Sequence, residues 1–108
     1  MGVTGNLQTI LRELRQELTA FYGERLTRLA LFGSQARNEA TINSDIDILV
    51  VLKGEVQPGI EISRTSNLIA DLSLTNNVVI SCIFISEYQF AMEQSPLMLN
   101  VRQEGITL

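Results

Sequence analysis

Leu7, Ile10, Leu11, Leu14, Leu18 and Phe21 return every three or four positions, with Arg12, Glu13, Arg15, Gln16 and Glu17 between them. That period predicts an amphipathic first helix, entered at Thr4 to Asn6 and ended by Gly23. The pattern then changes. Leu29 to Phe32 is a short apolar run stopped by Gly33 and reads as a strand, and Ile46 to Leu52 is a longer one closed by Lys53-Gly54. In the longer run apolar side chains fall on both faces, Ile46, Ile48 and Val50 on one and Leu49 and Val51 on the other. A strand of that kind lies in the middle of a sheet, covered on both sides. Between the two strands, Ser34 to Ala40 is expected to form a helical turn and Thr41 to Ser44 a polar loop.

Gln57-Pro58-Gly59 reads as a turn. Ile62, Leu68, Ile69 and Leu72 then predict a second helix over Ile60 to Leu74, and Asn76-Asn77 separates it from a β-branched strand over Val78 to Ile85. Ser86 and Glu87 open a short helix carrying Tyr88, Phe90, Ala91 and Met92. Pro96 begins another, Leu97 to Glu104, which Gly105 ends, leaving Ile106-Thr107-Leu108 as a tail. Tyr22, Tyr88, Phe90 and Met92 sit at helical spacings and are expected in the core. The order α-β-α-β-α-β-α predicts an α/β (α+β) domain, a small sheet with helices packed against it.

Composition narrows the function. A chain of 108 residues is expected to be one domain, residues 1–108, without repeat or linker. The net charge of −4 argues against a broad nucleic-acid surface, which needs a basic face. With no histidine and a single cysteine, a structural zinc site, a His-based triad and an internal disulfide are excluded. No apolar run approaches the roughly 20 residues that span a bilayer, and the start lacks a signal-peptide pattern. A cytoplasmic location and no membrane partner are expected. Cys82, inside an apolar strand, reads as a buried, inert thiol. The scattered basic residues read as solvated surface or partner contacts, Arg37 excepted.

The candidate chemistry lies in two motifs. Asp45 and Asp47 are two apart at the head of the central strand, so both carboxylates can turn to one side, about 6.6 Å apart along the chain. At about 4 Å and an effective dielectric near 20, such a pair repels by roughly 4 kcal/mol. A divalent cation relieves this, and Mg²⁺ suits a site of two carboxylates completed by waters and phosphates. Taken alone, an Asp-x-Asp pair also fits a strand-entry turn with solvated acids. Gly33 lets a phosphate approach the backbone, Ser34 opens onto it with free N–H groups and a hydroxyl, and Arg37 sits one turn further on. A serine-capped strand-to-helix turn is the plainer reading of Gly-Ser by itself. The two motifs together, ten residues apart and each beside an apolar strand, point to nucleotidyl transfer.

Gly33-Ser34, the ten-residue gap, Asp45 and Asp47 resemble the signature of the DNA polymerase beta nucleotidyltransferase superfamily. Ala36-Arg37 and Ser44-Asp45-Ile46-Asp47-Ile48-Leu49-Val50 are similar to its minimal branch, the MNT domains. The resemblance is specific over residues 29 to 52 and extends more weakly over the whole chain. It implies a mixed sheet flanked by helices, with Asp45 and Asp47 as catalytic and metal residues and Gly33, Ser34, Arg37 and Ser44 binding nucleotide. It further implies Mg²⁺-dependent use of a nucleoside triphosphate, with ATP as the substrate expected. The implied partner is a HEPN-domain toxin whose tyrosine receives AMP, in a type VII-like toxin–antitoxin pair. No DNA template is implied, since there are no fingers or thumb domains.

One departure stands out. The family supplies a third carboxylate from a later strand, and Val78 to Ile85 contains none, with Ser81 or Cys82 at the matching place. Base assistance contributes about 10²–10⁴-fold, so its loss slows chemistry more than binding. Asp71, Glu61 and Glu87 are possible substitutes but read more simply as solvated helix acids. Gln35 and Asn38 stand where Arg and Gly are frequent. The alternative function is therefore a weakened MNT protein that neutralises a HEPN partner by binding alone. An aminoglycoside-type transferase is a third reading, disfavoured for want of a second domain. The acceptor side is left open, to be completed by a partner protein or a second copy.

Overall fold

The computed structural model describes residues 5–33 and 45–108. In chain order its elements are α1 (Gly5–Tyr22), a 3-10 turn (Gly23–Arg25), β1 (Leu26–Phe32), β2 (Ile46–Leu52), α2 (Pro58–Asn76), β3 (Ile80–Ser86), α3 (Glu87–Met92), α4 (Pro96–Glu104) and β4 (Ile106–Thr107). The strands form one mixed sheet in the order β3-β2-β1-β4. β1 runs antiparallel to β2 and to β4, and β2 runs parallel to β3.

β2 sits inside the sheet, as its two-faced apolar pattern requires, and all of its residues but Asp47 are buried. Ile46, Ile48, Val50 and Leu52 pack with Ile10, Leu14 and Leu18 of α1, together with Leu29, Leu31 and Phe84. Leu49 and Val51 point the other way, onto Met98 and Val101 of α4. Fully burying one such side chain is worth about 1.5–3 kcal/mol, so β2 anchors both layers.

The helix ends follow local chemistry. Gly23 takes a φ of +57° just after α1, the left-handed conformation that glycine accepts without strain. Asn77 closes α2 in the same conformation, its N–H donating to Leu74 O while the Val78 N–H donates to Ser73 O. Ser86 and Gln89 cap α3 reciprocally, each side chain accepting from the other's backbone N–H.

Several expectations need correction. The tail is β4: Ile106 pairs with Leu31 and Thr107 with Ala30, and the Leu108 N–H donates to Leu29 O. β1 begins at Leu26, three residues before the apolar run, because Leu26 and Arg28 pair with Leu52 and Val51 across a register shift at the exposed Thr27. Tyr88 is 74% exposed and Met92 is exposed too, since a helix of six residues cannot present a full buried stripe. Tyr22 is buried as expected and Phe90 half-buried, while Phe21 and Ile62 lie outside the core. The helical turn and polar loop expected at residues 34–44 lie outside the described residues.

Candidate active site

β1 ends and β2 begins at the same end of the sheet. Phe32 is the register partner of Asp47, so Gly33 follows β1 beside the first acid-bearing turn of β2. Gly33 has a φ of +75°, and a Cβ built on it would lie 2.5 Å from Asp47 Oδ2. Glycine is thus required here for two independent reasons, backbone conformation and space. The ladder alone places the glycine against the Asp47 carboxylate.

Asp47 is half-buried and Asp45 exposed. By strand alternation Asp47 lies on the Leu49 and Val51 face of the sheet. Burial pushes its carboxyl above the ordinary aspartate range, and the Asp45 charge adds to the shift. Two like charges therefore share one partly desolvated corner. Among the described residues no basic side chain pairs with either. A hard divalent cation fits such a pair, because it replaces repulsion with two attractive contacts. Among the described residues no group of three or more His, Cys, Asp or Glu comes together, so substrate oxygens and water would complete the shell.

The parallel neighbour of Asp47 is Ser81 on β3, at the same height and on the same face. The group at that place is a hydroxyl rather than a carboxylate. Cys82 points to the opposite face, against the α1 layer, and burial pushes its thiol up to about 12. A raised thiol disfavours the reactive thiolate, and Cys82 is half-buried rather than fully buried as expected. Ser34, Arg37 and Ser44 lie outside the described residues. Of the six site residues named from sequence, the structure brings together Gly33, Asp45 and Asp47.

Asp71 and Glu87 are solvated helix acids, but Glu61 is not. It is 3% exposed, accepting from the Tyr22 hydroxyl at 2.8 Å, from Arg25 Nη1 at 3.1 Å and from Arg64 Nη1 at 3.2 Å. Arg25 also reaches the carbonyl oxygens of Lys53 and Glu55. It is a structural contact rather than free surface. These charge-assisted bonds hold Glu61 below the ordinary glutamate range against the opposing effect of its burial, and burial with the Glu61 bond raises the Tyr22 phenol. The cluster lies beyond Leu26 and Leu52, at the far end of the sheet from Asp47. It serves the fold, and the sequence signal for it is weak: Arg64 three residues after Glu61, on one helix face.

A four-stranded mixed sheet with an acid pair beside a glycine bend defines an α/β fold equipped for phosphate chemistry. The sequence profile of the nucleotidyltransferase domain matches residues 11–95, and the chain belongs to that family. A Methanocaldococcus jannaschii protein, named as a candidate protein adenylyltransferase, is 35% identical over 104 residues, 95% of this chain and 98% of the relative. The crystal structure of a toxin–antitoxin pair with AMP-PNP superposes at a TM-score of 0.63 with 20% identity, covering 89% of this chain and 69% of that one. A Shewanella oneidensis complex of a tri-AMPylated HEPN toxin with its MNT antitoxin gives 0.51 and 19%, covering 94% and 67%. At those identities the two complexes share the fold with this chain. Among the described residues no helix is long and apolar enough to cross a membrane.

Proposed function

We propose that this chain is a single-domain, Mg²⁺-dependent protein adenylyltransferase that moves AMP from ATP onto a tyrosine hydroxyl of a HEPN-domain toxin, as a cytoplasmic antitoxin. The observation that carries it is the contact of Gly33 with the Asp47 carboxylate, beside Asp45. The match to a named adenylyltransferase over nearly its whole length supports the AMP donor, and the fold shared with MNT antitoxins supports the partner.

Asp45 and Asp47 would hold the cation, which when bound neutralises charge on the α-phosphate and the departing pyrophosphate. Gly33 leaves room for the Asp47 carboxylate, and Gly33, Ser34, Arg37 and Ser44 are assigned to the triphosphate by their motif. The acceptor oxygen attacks the α-phosphorus in line, the bond to the bridging oxygen breaks, and pyrophosphate leaves. With Ser81 beside Asp47, the hydroxyl proton passes to water rather than to a third carboxylate. Incubation with Mg·ATP and the HEPN-domain protein, followed by intact-mass measurement, should show one or more AMP additions on the partner. An unchanged mass with nucleotide demonstrably bound rejects the transfer.

Ser81 at the third-acid position favours one second reading, neutralisation by binding alone. An Asp45→Asn/Asp47→Asn variant that still neutralises the partner fully establishes occlusion as sufficient.

A further inference from the structure

The charge on α1 is divided between its flanks. Glu13 and Glu17 line a hollow towards α2 together with Asp71 and Leu72. Arg12 and Arg15, one turn apart, occupy the other flank and line both of two adjoining hollows along the helix. The first, of about 290 Å³, has an apolar floor of Leu11, Ile106 and Leu108. The second, of about 430 Å³, continues over Thr19 and Ala20. Among the described residues no acidic side chain lines either hollow. From residue 8 to residue 20 the groove runs about 18 Å, a little over three helical turns.

The two arginines differ from the chain's other described ones. Arg25 and Arg64 bond Glu61, Arg102 donates to the Phe90 and Glu93 carbonyl oxygens, and Arg28 stacks on the Phe90 ring. Among the described residues Arg12 and Arg15 find no ion pair and no side-chain hydrogen bond. In a chain of net charge −4 they are a local reversal of sign over an apolar floor. The position matters as well. Ile106 pairs with Leu31, which pairs with Ile48, the residue after Asp47. Two strand spacings put Ile106 about 10 Å from β2. The first hollow thus lies towards the acid-pair end of the sheet, on the opposite face, and the second continues along α1 towards the Tyr22 end.

We propose that this groove docks an acidic amphipathic helix of a partner protein, its apolar side on Leu11, Ile106 and Leu108 and two carboxylates one turn apart on Arg12 and Arg15. The inference rests on the reading that this chain acts on a protein, and it adds where that protein is held. An i, i+3 pair of guanidiniums matches carboxylates at the same spacing on a facing helix. A polyanion such as RNA gains nothing from the apolar floor and is repelled by the net charge. A second copy crossing antiparallel over α1 sets Arg12 and Arg15 of both chains side by side, so like charges meet.

The test titrates the isotopically labelled chain, by NMR, with a synthetic helical peptide carrying leucines along one face and paired glutamates beside them. A lysine-for-glutamate version is the control. The glutamate peptide should shift the amides of residues 8–20 and 106–108, and Arg12→Glu/Arg15→Glu should weaken it about tenfold or more. Both substituted side chains are exposed, and the variant's own spectrum reports whether its fold is kept. Equal response to both peptides, shifts elsewhere, or no shifts overturn the proposal. So does tighter binding of poly(A) at the same amides, or a dimer of the free chain that the variant dissociates. Partner mass is read separately: AMP on the HEPN-domain protein with an unresponsive groove leaves transfer standing and removes only the docking site, and the reverse removes only the transfer.

Discussion

At one end of the sheet Glu61 lies buried among Tyr22, Arg25 and Arg64, every oxygen bonded. At the other, Asp45 and Asp47 share a partly buried corner with no basic side chain of the described residues beside them. The first carboxyl is held below its ordinary range and the second above it. The same chemical group thus plays two parts in a molecule of 108 residues. A carboxylate compensated from within the chain contributes to stability. One with no basic partner among the described residues keeps a repulsion that an outside cation would relieve, which makes it a candidate site.

The contrast can be broken most forcefully at the site. Asp45→Asn/Asp47→Asn should lower AMP transfer by about 10³-fold or more, since it removes the cation's anchors. Its melting temperature should hold or rise, because a repulsion is gone; a clear fall would show that the acids are structural. Glu61→Ala should act in the opposite sense, lowering stability in urea unfolding by about 1–3 kcal/mol while leaving transfer per folded molecule unchanged. That range is set below the usual cost of breaking a buried pair because Arg25 and Arg64 keep partial access to water.

Gly33→Ala tests the junction between fold and site. It must accommodate a positive φ and a Cβ pressed on Asp47 Oδ2, which should cost about 1–2 kcal/mol of stability. Nucleotide affinity, measured by calorimetry, should fall with it. The smallest effect is the pH dependence. A raised folded-state value means that the folded chain holds the Asp47 proton more tightly, so this group costs stability as pH climbs above 3.8. Glu61 does the reverse: its contribution is present above 4.5 and is lost as pH falls through its depressed folded value. Relative to the Asn double variant, the natural chain should therefore lose stability as pH rises from 4 towards neutrality, on the order of 1 kcal/mol or less. Added Mg²⁺ should recover it, and a difference unaffected by Mg²⁺ would count against the cation site.

How much of this is legible in the sequence depends on the range over which each signal acts. Ile46 to Leu52 can be read with its true bounds, because seven residues of two-faced apolar pattern have no competing interpretation. Gly33, Asp45 and Asp47 stand out because a bend and a strand start are local events. β4 is invisible: two residues carry no period, and only the neighbouring edge of β1 makes them a strand. Glu61 misleads for a similar reason. Its partners Tyr22 and Arg25 lie 39 and 36 positions earlier, and only the packing of α1 on α2 buries it. The basic flank of α1 is hidden because Arg12 and Arg15 alternate with Glu13 and Glu17 in sequence and separate only when wound into a helix.

The pairing of Phe32 with Asp47 means that the chain leaves the sheet and rejoins it on the same rung. The approach of Gly33 to the Asp47 carboxylate is then inherited from the ladder. A change that slipped the β1–β2 register by one rung would therefore part Gly33 from Asp47 and turn the acid to the other face of the sheet.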